Sequence, residues 1–392
     1  MTRKRNVVPE PSAQGSAQGK EPPATPEQEP SARRPVTPVD NSLGLRSNFP
    51  VARLCFEAVS EGDGFLPAFA GSVLRGTLGH ALRKLVCMTG HPDCPPCPLY
   101  RRCPYPEIFA PPPRVQAIAG RRLDQPPVPY VMEPPPISRR PLEEGTPLVF
   151  HMLLLGPATA RIPHVVEAMR RALAQGLGRR RTRFSLLRVR PAPPVPARSP
   201  GTEDPVATGG ALPPIYDFTD PDAETAPLDA AIGRIIGSGA GAAGEETGSD
   251  GPRPAVTRLR IHHHTPMRLQ QGGKIIDHRT LTPRDLLVAA WRRWRLLEAV
   301  YGTADGVPQL LGRRLEAAGQ MVVTQRKLFW WDWRRHSSRQ QQFMTLGGVR
   351  GSWEWEGEDL TELLPLLTLG ALLHVGKETS FGFGRYEIEA TD

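Results

Sequence analysis

The order of strand and helix patterns in the C-terminal part constrains the fold of this chain more than any other feature. Thr282, Pro283 and Asp285 form a helix start, with an N-cap residue, a proline at the first helical position and an acidic residue at N3. The predicted elements are strand 257–263, helix 283–301, strands 321–333 and 353–355 joined around Gly347-Gly348, helix 360–374 and strand 385–389. This β-α-β-β-α-β order predicts a ferredoxin-like domain.

The N-terminal part follows the same order less completely. Its patterns predict strand 53–59, helix 69–86, strand 148–155, helix 163–175 and strand 183–189, with the second strand expected near Tyr130–Met132. We therefore predict an α+β protein of two tandem ferredoxin-like domains. They cover residues 48–191 and 256–392, and the first carries a cysteine-rich insertion at 87–137.

Two segments lack the apolar residues of a core. Residues 1–47 contain no aromatic side chain and are rich in Pro, Ser, Gln and Glu, which predicts a disordered N-terminal tail. Residues 192–255 are rich in Pro and Gly, which predicts a low-complexity linker or insertion with one short helix near 228–236.

The charge of the chain favours an anionic partner. Its 49 Lys and Arg against 40 Asp and Glu give a net charge of +9 at pH 7, which suits nucleic acid or an acidic membrane surface. No stretch approaches the ~20 apolar residues of a membrane span, and no apolar segment follows the basic N-terminus as in a secretory signal. We expect a cytoplasmic protein with no membrane association.

An arginine-rich stretch, the arginine connector, precedes and begins the last strand of the first domain. Guanidinium groups bind phosphates as planar forks, so an exposed stripe of them favours a nucleic-acid backbone. A merely solubilising surface is the alternative. The predicted RNA-contacting residues here are Arg179, Arg180, Arg181 and Arg183.

A glycine-rich loop, residues 376–384, precedes the last predicted strand. Glycines allow positive φ angles and a close approach to phosphate, and free N–H groups could form an anion-binding nest. Phe381 and Phe383 could stack on bases or pack inward, and a plain turn over the core is the alternative. A dinucleotide fingerprint opens a helix, so no nucleotide cofactor is predicted. The predicted RNA contacts are Gly376, Lys377, Gly382, Phe383, Gly384 and Arg385.

Four of the five cysteines lie in one short segment: Cys87, Cys94, Cys97 and Cys103. An odd total argues against a disulfide framework. The Cys-Pro-Pro-Cys knuckle is typical of half a structural zinc site, which the outer two cysteines could complete, with His91 as a substitute ligand. Free thiols and an iron–sulfur cluster are the alternatives.

Several motifs occur in an order that resembles one family. They are 71–79 (GSVLRGTLG), the cysteine cluster with Phe109 after it, 176–178 (GLG), 265–269 (TPMRL), 335–340 (RHSSRQ) and 376–384 (GKETSFGFG). The set resembles the RAMP-superfamily endoribonuclease that processes CRISPR precursor RNA, the sixth Cas family. The resemblance covers residues 48–392 apart from 192–254. It implies binding of the repeat RNA and metal-independent cleavage within it, and it leaves open whether this chain cuts.

RNA can be cut without a metal if one group deprotonates the 2′-hydroxyl and another protonates the leaving oxygen, and histidine suits both tasks. His80 and Lys84 lie one turn apart on the non-apolar face of the first helix, and Arg75 borders that face. We predict these three as the catalytic set, and a solvated basic face is the alternative. The runner-up histidine is His336, which lies among arginines predicted to contact RNA, Arg335 and Arg339.

The triplet His262 to His264 also suggests a metal, but no carboxylate is adjacent to it in the sequence. The predicted function is a metal-independent endoribonuclease acting on CRISPR precursor RNA, with other Cas effector subunits as further partners. A non-catalytic RNA-binding RAMP subunit and a zinc-stabilised interaction protein are the two rivals.

Overall fold

The computed structural model describes two α+β domains built on separate antiparallel sheets. The described residues are 49–118, 121–123, 125–137, 141–192, 213–220, 222–231, 233–234, 255–302, 315, 321–337, 342–358 and 360–390. The predicted disordered tail, 1–47, lies outside them. Among the described residues, no helix combines the length and apolar character of a membrane-spanning segment.

The N-terminal domain has the predicted helices and strands. Its elements are β1 (Pro50–Ser60), β2 (Gly64–Phe65), α1 (Gly71–Val86), α2 (Pro104–Phe109), β3 (Arg114–Ile118), β4 (Arg121–Leu123), β5 (Tyr130–Glu133), β6 (Pro141–Leu142), β7 (Pro147–Leu155), a 3-10 helix (Gly156–Arg161), α3 (Ile162–Gln175), β8 (Phe184–Pro191), β9 (Tyr216–Asp217), a 3-10 helix (Leu228–Ala231) and β10 (Gly233–Arg234). The sheet order β5-β7-β1-β8-β9 contains the ferredoxin-like arrangement, and the expected second strand is β5.

The segment predicted as a linker contributes two strands to this sheet. β9 pairs with β8 through Arg188 and Asp217. β10 pairs with Pro50 and Val51, the part of β1 beyond its ladder with β8, which begins at Leu54. The short helix predicted near 228–236 is confirmed only in its first part, where a 3-10 helix covers 228–231, and β10 takes the place of its continuation at 233–234. The part of β1 beyond β8 has unpaired backbone N–H and C=O groups, and β10 pairs with them. A local sequence pattern cannot predict this pairing.

The C-terminal domain repeats the arrangement. Its elements are β11 (Arg258–Met267), β12 (Leu269–Gln271), β13 (Lys274–Ile276), α4 (Pro283–Tyr301), β14 (Val322–Ser337), β15 (Gln342–Glu356), a 3-10 helix (Thr361–Leu363), α5 (Leu364–Leu373), a 3-10 helix (Thr379–Phe381) and β16 (Tyr386–Ala390). The sheet order is β14-β15-β11-β16. The predicted start of α4 is confirmed: Thr282 and Asp285 form a reciprocal capping box.

The hairpin of this domain is longer than predicted. The turn does not fall at Gly347-Gly348, because both glycines lie inside β15 and pair with Asp332 and Trp331. A side chain on Gly348 would come within 2.9 Å of the Met267 backbone in the neighbouring strand. These glycines therefore allow close packing between strands and do not form the turn, since β14 and β15 stay paired as far as Ser337 and Gln342.

Each sheet buries one apolar face under its helices. Helices α1 and α3 cover the first sheet, and α4 and α5 cover the second. A third, smaller apolar cluster joins the two domains and consists of Phe69, Trp333, Leu346, Phe381 and Phe383. This interdomain cluster includes two aromatic residues of the glycine-rich loop, so the loop belongs to the junction between the domains.

Candidate active site and nucleic-acid interface

Helix α1 presents a basic face to solvent. Leu74, Leu78 and Leu82 are fully buried against the first domain, and this apolar stripe fixes which side of the helix faces outward. His80 and Lys84 are exposed and lie one turn apart on that outward side. The predicted pairing of an imidazole with an ammonium group is therefore compatible with the helix as it packs.

Arg75 does not share the face of His80. Five residues at about 100° each place the two side chains about 140° apart around the helix. The Arg75 guanidinium lies 4.7 Å from the ring centre of Phe381 and 5.7 Å from that of Phe109. Its Nε atom is buried and has no hydrogen-bond partner among the described residues. The prediction that Arg75 borders the face of His80 is therefore wrong. Its side chain instead extends from α1 toward α2 and the glycine-rich loop.

Five N–H groups of the glycine-rich loop are already used inside the protein. They donate to backbone carbonyls: Lys377 to Arg268 at 2.9 Å, Gly382 to Thr379 at 2.8 Å and Gly384 to Pro266 at 2.9 Å. Those of Phe381 and Phe383 donate to Glu378. A backbone donor that is already used inside the protein is not available to phosphate.

The aromatic residues of the loop pack inward, which was the alternative to stacking on RNA bases. Phe383 is fully buried, with its ring centre 5.3 Å from Phe69 and 5.8 Å from Trp333. Gly382 and Gly384 are buried beside it, with φ angles of 95° and 79°. The predicted RNA contacts of Gly382, Phe383 and Gly384 are therefore contradicted by burial.

Two loop positions face solvent. Gly376 and Lys377 are exposed, so the predicted contact of Lys377 with RNA is sterically open. The Arg385 side chain is 16% exposed, and its Nη2 atom lies 3.7 Å from Glu387. A carboxylate this close already neutralises part of its charge, so Arg385 is a weaker candidate than Lys377.

The loop and α1 are in direct contact. A Cβ atom on Gly71, the first residue of α1, would overlap the carbonyl oxygen of Phe381. On the other side, the Thr265 hydroxyl donates to Gly382 O at 2.6 Å and accepts the N–H of Arg385 at 2.9 Å. The loop thus connects β11 of the C-terminal domain to the start of the helix that carries His80.

A buried ion pair lies beneath this junction. Arg53 on β1 donates to Glu133 on β5 at 2.7 Å, and both side chains are 4% exposed. His374, at the end of α5, places Nε2 3.8 Å from Glu133 and Nδ1 3.1 Å from the carbonyl of Phe383. Burial opposes ionisation of Glu133, but the charge of Arg53 holds the pKa of its carboxyl well below the ordinary value.

The arginine connector is largely free to bind an anion. Arg179, Arg180 and Arg181 are exposed and make no ion pair within the described part of the chain. Arg183 is also exposed, but it donates to Ala174 O at 3.1 Å and lies 3.5 Å from a Glu61 oxygen. The connector lies beside the Ser60 end of β1, from which the chain enters α1.

The predicted residues of the hairpin are only partly described. Arg335 and His336 lie in β14 and pair with Met344 and Phe343. Arg339 lies outside the described residues. His336 is in the C-terminal domain and His80 is in the N-terminal domain, so the two candidate histidines do not belong to one helix face or strand.

The histidine triplet has a carboxylate neighbour that the sequence did not indicate. His262 and His264 point the same way with ring centres 4.5 Å apart, and His264 Nε2 lies 2.9 Å from Glu387. Glu387 arrives from β16, which pairs with β11, so linear sequence could not place it. As they stand, no three His, Cys, Asp or Glu side chains in the described ranges are arranged to hold a metal ion.

Two family models match different parts of the chain. Residues 49–208 match a family model described as an N-terminal domain. Residues 261–386 match the model of the CRISPR-associated endoribonuclease Cas6. The C-terminal domain belongs to the Cas6 family. The predicted resemblance is confirmed, and the Cas6 match runs from within β11 to the first residue of β16, so it covers most of the second ferredoxin-like unit.

Several solved structures are similar to this chain at low sequence identity. A partial Cas6-RT-Cas1–Cas2 complex is 12% identical with a TM-score of 0.47, and the match covers 88% of this chain and 47% of that one. Thermus thermophilus Cas6 is 14% identical with a TM-score of 0.44, and the match covers 87% of this chain and 99% of that one. A RAMP protein binding different RNA substrates is 11% identical with a TM-score of 0.36, and the match covers 86% of this chain and 99% of that one.

The chain spans 47% and 29% of the lengths of the two Cas6-RT-Cas1–Cas2 chains that it matches. No curated protein sequence matches the chain.

Proposed function

We propose that this protein binds the repeat of CRISPR precursor RNA and cleaves it without a metal ion, through attack of a 2′-hydroxyl. One observation carries the proposal: a Cas6 endoribonuclease domain is joined by its glycine-rich loop to a helix that exposes His80 one turn from Lys84. The endoribonuclease class follows from the family. The metal-independent mechanism and the residues that perform it are our proposal.

In this mechanism the 2′-oxygen attacks the adjacent phosphorus as its proton leaves, and the bond from phosphorus to the 5′-oxygen breaks. The products are a 2′,3′-cyclic phosphate and a 5′-hydroxyl. His80 acts as general acid or base, because an imidazole exchanges protons near neutral pH. Lys84 stabilises the negative charge that develops on the phosphorane.

RNA reaches this face along exposed cations. Lys377 lies on the loop that contacts α1, and the connector of Arg179, Arg180 and Arg181 lies at the end of β1 that leads into α1. Contacts of this kind supply affinity that decreases with salt concentration. Arg75 acts in this scheme as a positioning residue, because its guanidinium packs against Phe381 and Phe109.

Other Cas subunits are proposed as partners, since one similar structure is a complex of Cas6 with RT, Cas1 and Cas2. A transcript is the substrate, so we place the activity in the cytoplasm.

The test is cleavage of repeat RNA in excess EDTA by the full chain, by His80→Ala and by His262→Ala. His262 is also exposed, but it lies in β11 of the other domain and serves as the control. His80→Ala should lower the cleavage rate by about 10²–10⁴-fold, the usual contribution of a general acid or base, while RNA affinity stays within a few-fold. A 2′-deoxy substitution at the cut nucleotide should abolish cleavage by the unmodified protein.

Other results of this test would support a different catalytic residue or a different function. If His80→Ala cuts normally and His336→Ala does not, the catalytic centre lies at the hairpin. Tight binding without cleavage by the unmodified chain would identify the second candidate, a non-catalytic RNA-binding RAMP subunit. Absence of binding at moderate salt would exclude both.

A further inference from the structure

We propose that the segment between α1 and α2 binds one Zn²⁺ through Cys87, Cys94, Cys97 and Cys103, and that this ion fixes α2 against α1. The proposal concerns folding of the cysteine segment and does not depend on RNA cleavage. Its evidence is the position of the four thiols, the donors that surround them and the contacts of α2.

The four cysteines occupy defined positions at the ends of the two helices. Cys87 is the C-cap of α1, and its N–H donates to Arg83 O. Cys103 is the N-cap of α2. Between them, Cys97 closes a tight turn by donating its N–H to Cys94 O at 3.0 Å. All four side chains line one pocket, together with His91 and Arg83.

The surroundings of the sulfur atoms suit thiolate ligands. Cys87 is followed by a turn in which Gly90 has a positive φ of 64°, and this turn brings Thr89 next to the pocket. The Thr89 hydroxyl lies 3.4 Å from Cys97 Sγ. A hydroxyl at this distance can donate to a thiolate, which orients the ligand and stabilises its charge.

Arg83 supplies a counter-charge and holds the segment in place. Its Nη2 atom donates to the carbonyls of His91 and Pro92, each at 2.6 Å. Zinc with four thiolates carries a net charge of about −2, so a guanidinium at the pocket wall favours the loaded state. His91 is less suited to be a ligand, because its Nδ1 accepts the N–H of Asp93 at 3.2 Å.

The segment has little else to stabilise its fold. Met88 is 89% exposed and Leu99 is 39% exposed, so two of its larger apolar side chains contribute little to the core. As they stand, the four thiols are not close enough together to hold a metal ion, and no other set of His, Cys, Asp or Glu side chains within the described residues is. An ion would draw them inward, and its binding energy would become folding energy of the segment.

The proposed ion would anchor the element that supports α1. Phe109 of α2 packs against α1, where a Cβ atom on Gly79 would lie 2.9 Å from its ring. The same ring lies 5.1 Å from Tyr130 and 5.7 Å from the Arg75 guanidinium. Loss of the ion should therefore loosen α2 and the position of Arg75, while α4 in the other domain stays unchanged.

The first experiment measures metal content of the full chain. The purified protein should carry one zinc per chain, and replacement by Co²⁺ should give the sulfur-to-cobalt charge-transfer bands and the visible absorption of a tetrahedral thiolate site. Cys94→Ser and Cys97→Ser should lose the zinc. His91→Ala should retain it, and so should Cys55→Ala, the matched control, because Cys55 lies in β1 and does not line the pocket.

The second experiment uses the unmodified protein, so that it does not depend on variants that fail to fold. Removal of zinc by chelation should increase hydrogen exchange at 104–109 and at the last turn of α1, and re-addition of zinc should reverse the increase. Residues 283–301 should show no change. A chain that neither carries nor takes up zinc, or one with iron and acid-labile sulfide, would overturn the zinc site. Unchanged exchange would overturn its anchoring role.

Discussion

His263 is a histidine that the fold holds in its neutral form. It lies in β11 with its ring centre 6.0 Å from Trp353 and 5.9 Å from Tyr386, and it is fully buried. Neither ring nitrogen has a hydrogen-bond partner among the described residues. Burial, and then the neighbouring His262 and His264, lower its pKa to about 3. Protonation therefore opposes folding at this residue.

We predict that His263→Phe flattens the pH dependence of stability. Below the unfolded pKa of about 6.5 the unfolded chain binds a proton that the folded chain does not, so stability falls with pH, by up to about 1.4 kcal/mol per pH unit for one group. The Phe variant should lose this part of the slope between pH 6 and 4. Urea unfolding at pH 7, 6, 5 and 4 measures it.

His262→Phe is the control, since His262 is exposed on the opposite face of the same strand and should leave the slope in place. Some slope should remain in either variant, because burial and Arg53 lower the pKa of His151 to about 4. An unchanged slope in His263→Phe would show that this ring is solvated in the folded protein.

At the scale of the elements, the start of α1 is shaped by its contact with the glycine-rich loop. Gly71 has no room for a side chain, because a Cβ atom there would overlap Phe381 O. Gly76, five residues later in the same helix, has no atom within 4 Å of a Cβ. The same glycine-to-alanine change should therefore have opposite effects at these two positions.

We predict that Gly71→Ala destabilises the protein by about 1–3 kcal/mol, because an added methyl group in a filled site displaces its neighbours. Gly76→Ala should stabilise it by up to about 1 kcal/mol, the helix-propensity difference. Thermal unfolding of both variants measures the two effects. If Gly71→Ala were also stabilising, the loop would not be packed against α1 as the structure has it.

At the scale of the whole molecule, the domains share a buried charge network as well as the interdomain cluster. Glu133 belongs to the first sheet, and it contacts Arg53 of the same domain and His374 of the other. Burial lowers the pKa of His374, although Glu133 opposes that shift. Removing the carboxylate would take away the negative charge that lies 2.7 Å from the buried Arg53 guanidinium.

We predict that Glu133→Gln lowers the free energy of unfolding by about 3–5 kcal/mol, the usual cost of breaking a buried ion pair from one side. Glu167→Gln is the control: Glu167 pairs with Arg170 and Arg171 on the surface of α3 with 31% of its side chain exposed, and its loss should cost at most about 1 kcal/mol. Urea unfolding at pH 7 compares them. Equal effects would contradict a dry, interdomain location for Glu133.

The sequence by itself determined the repeated β-α-β-β-α-β order, the start of α4 and the face of α1 that carries His80 and Lys84. These depend on residues within one or two turns of each other, where propensity, capping and periodicity act directly. The motifs and their order along the chain were also sufficient for the family resemblance.

Only the tertiary structure decided which residues distant in the chain come into contact. In the loop predicted to bind phosphate, the N–H groups of Gly384 and Lys377 donate to Pro266 and Arg268, and Phe383 is buried in the interdomain cluster. The carboxylate beside His264 arrives through strand pairing with β16. Such contacts join residues far apart in the chain, so they depend on register and packing, which a local pattern does not contain.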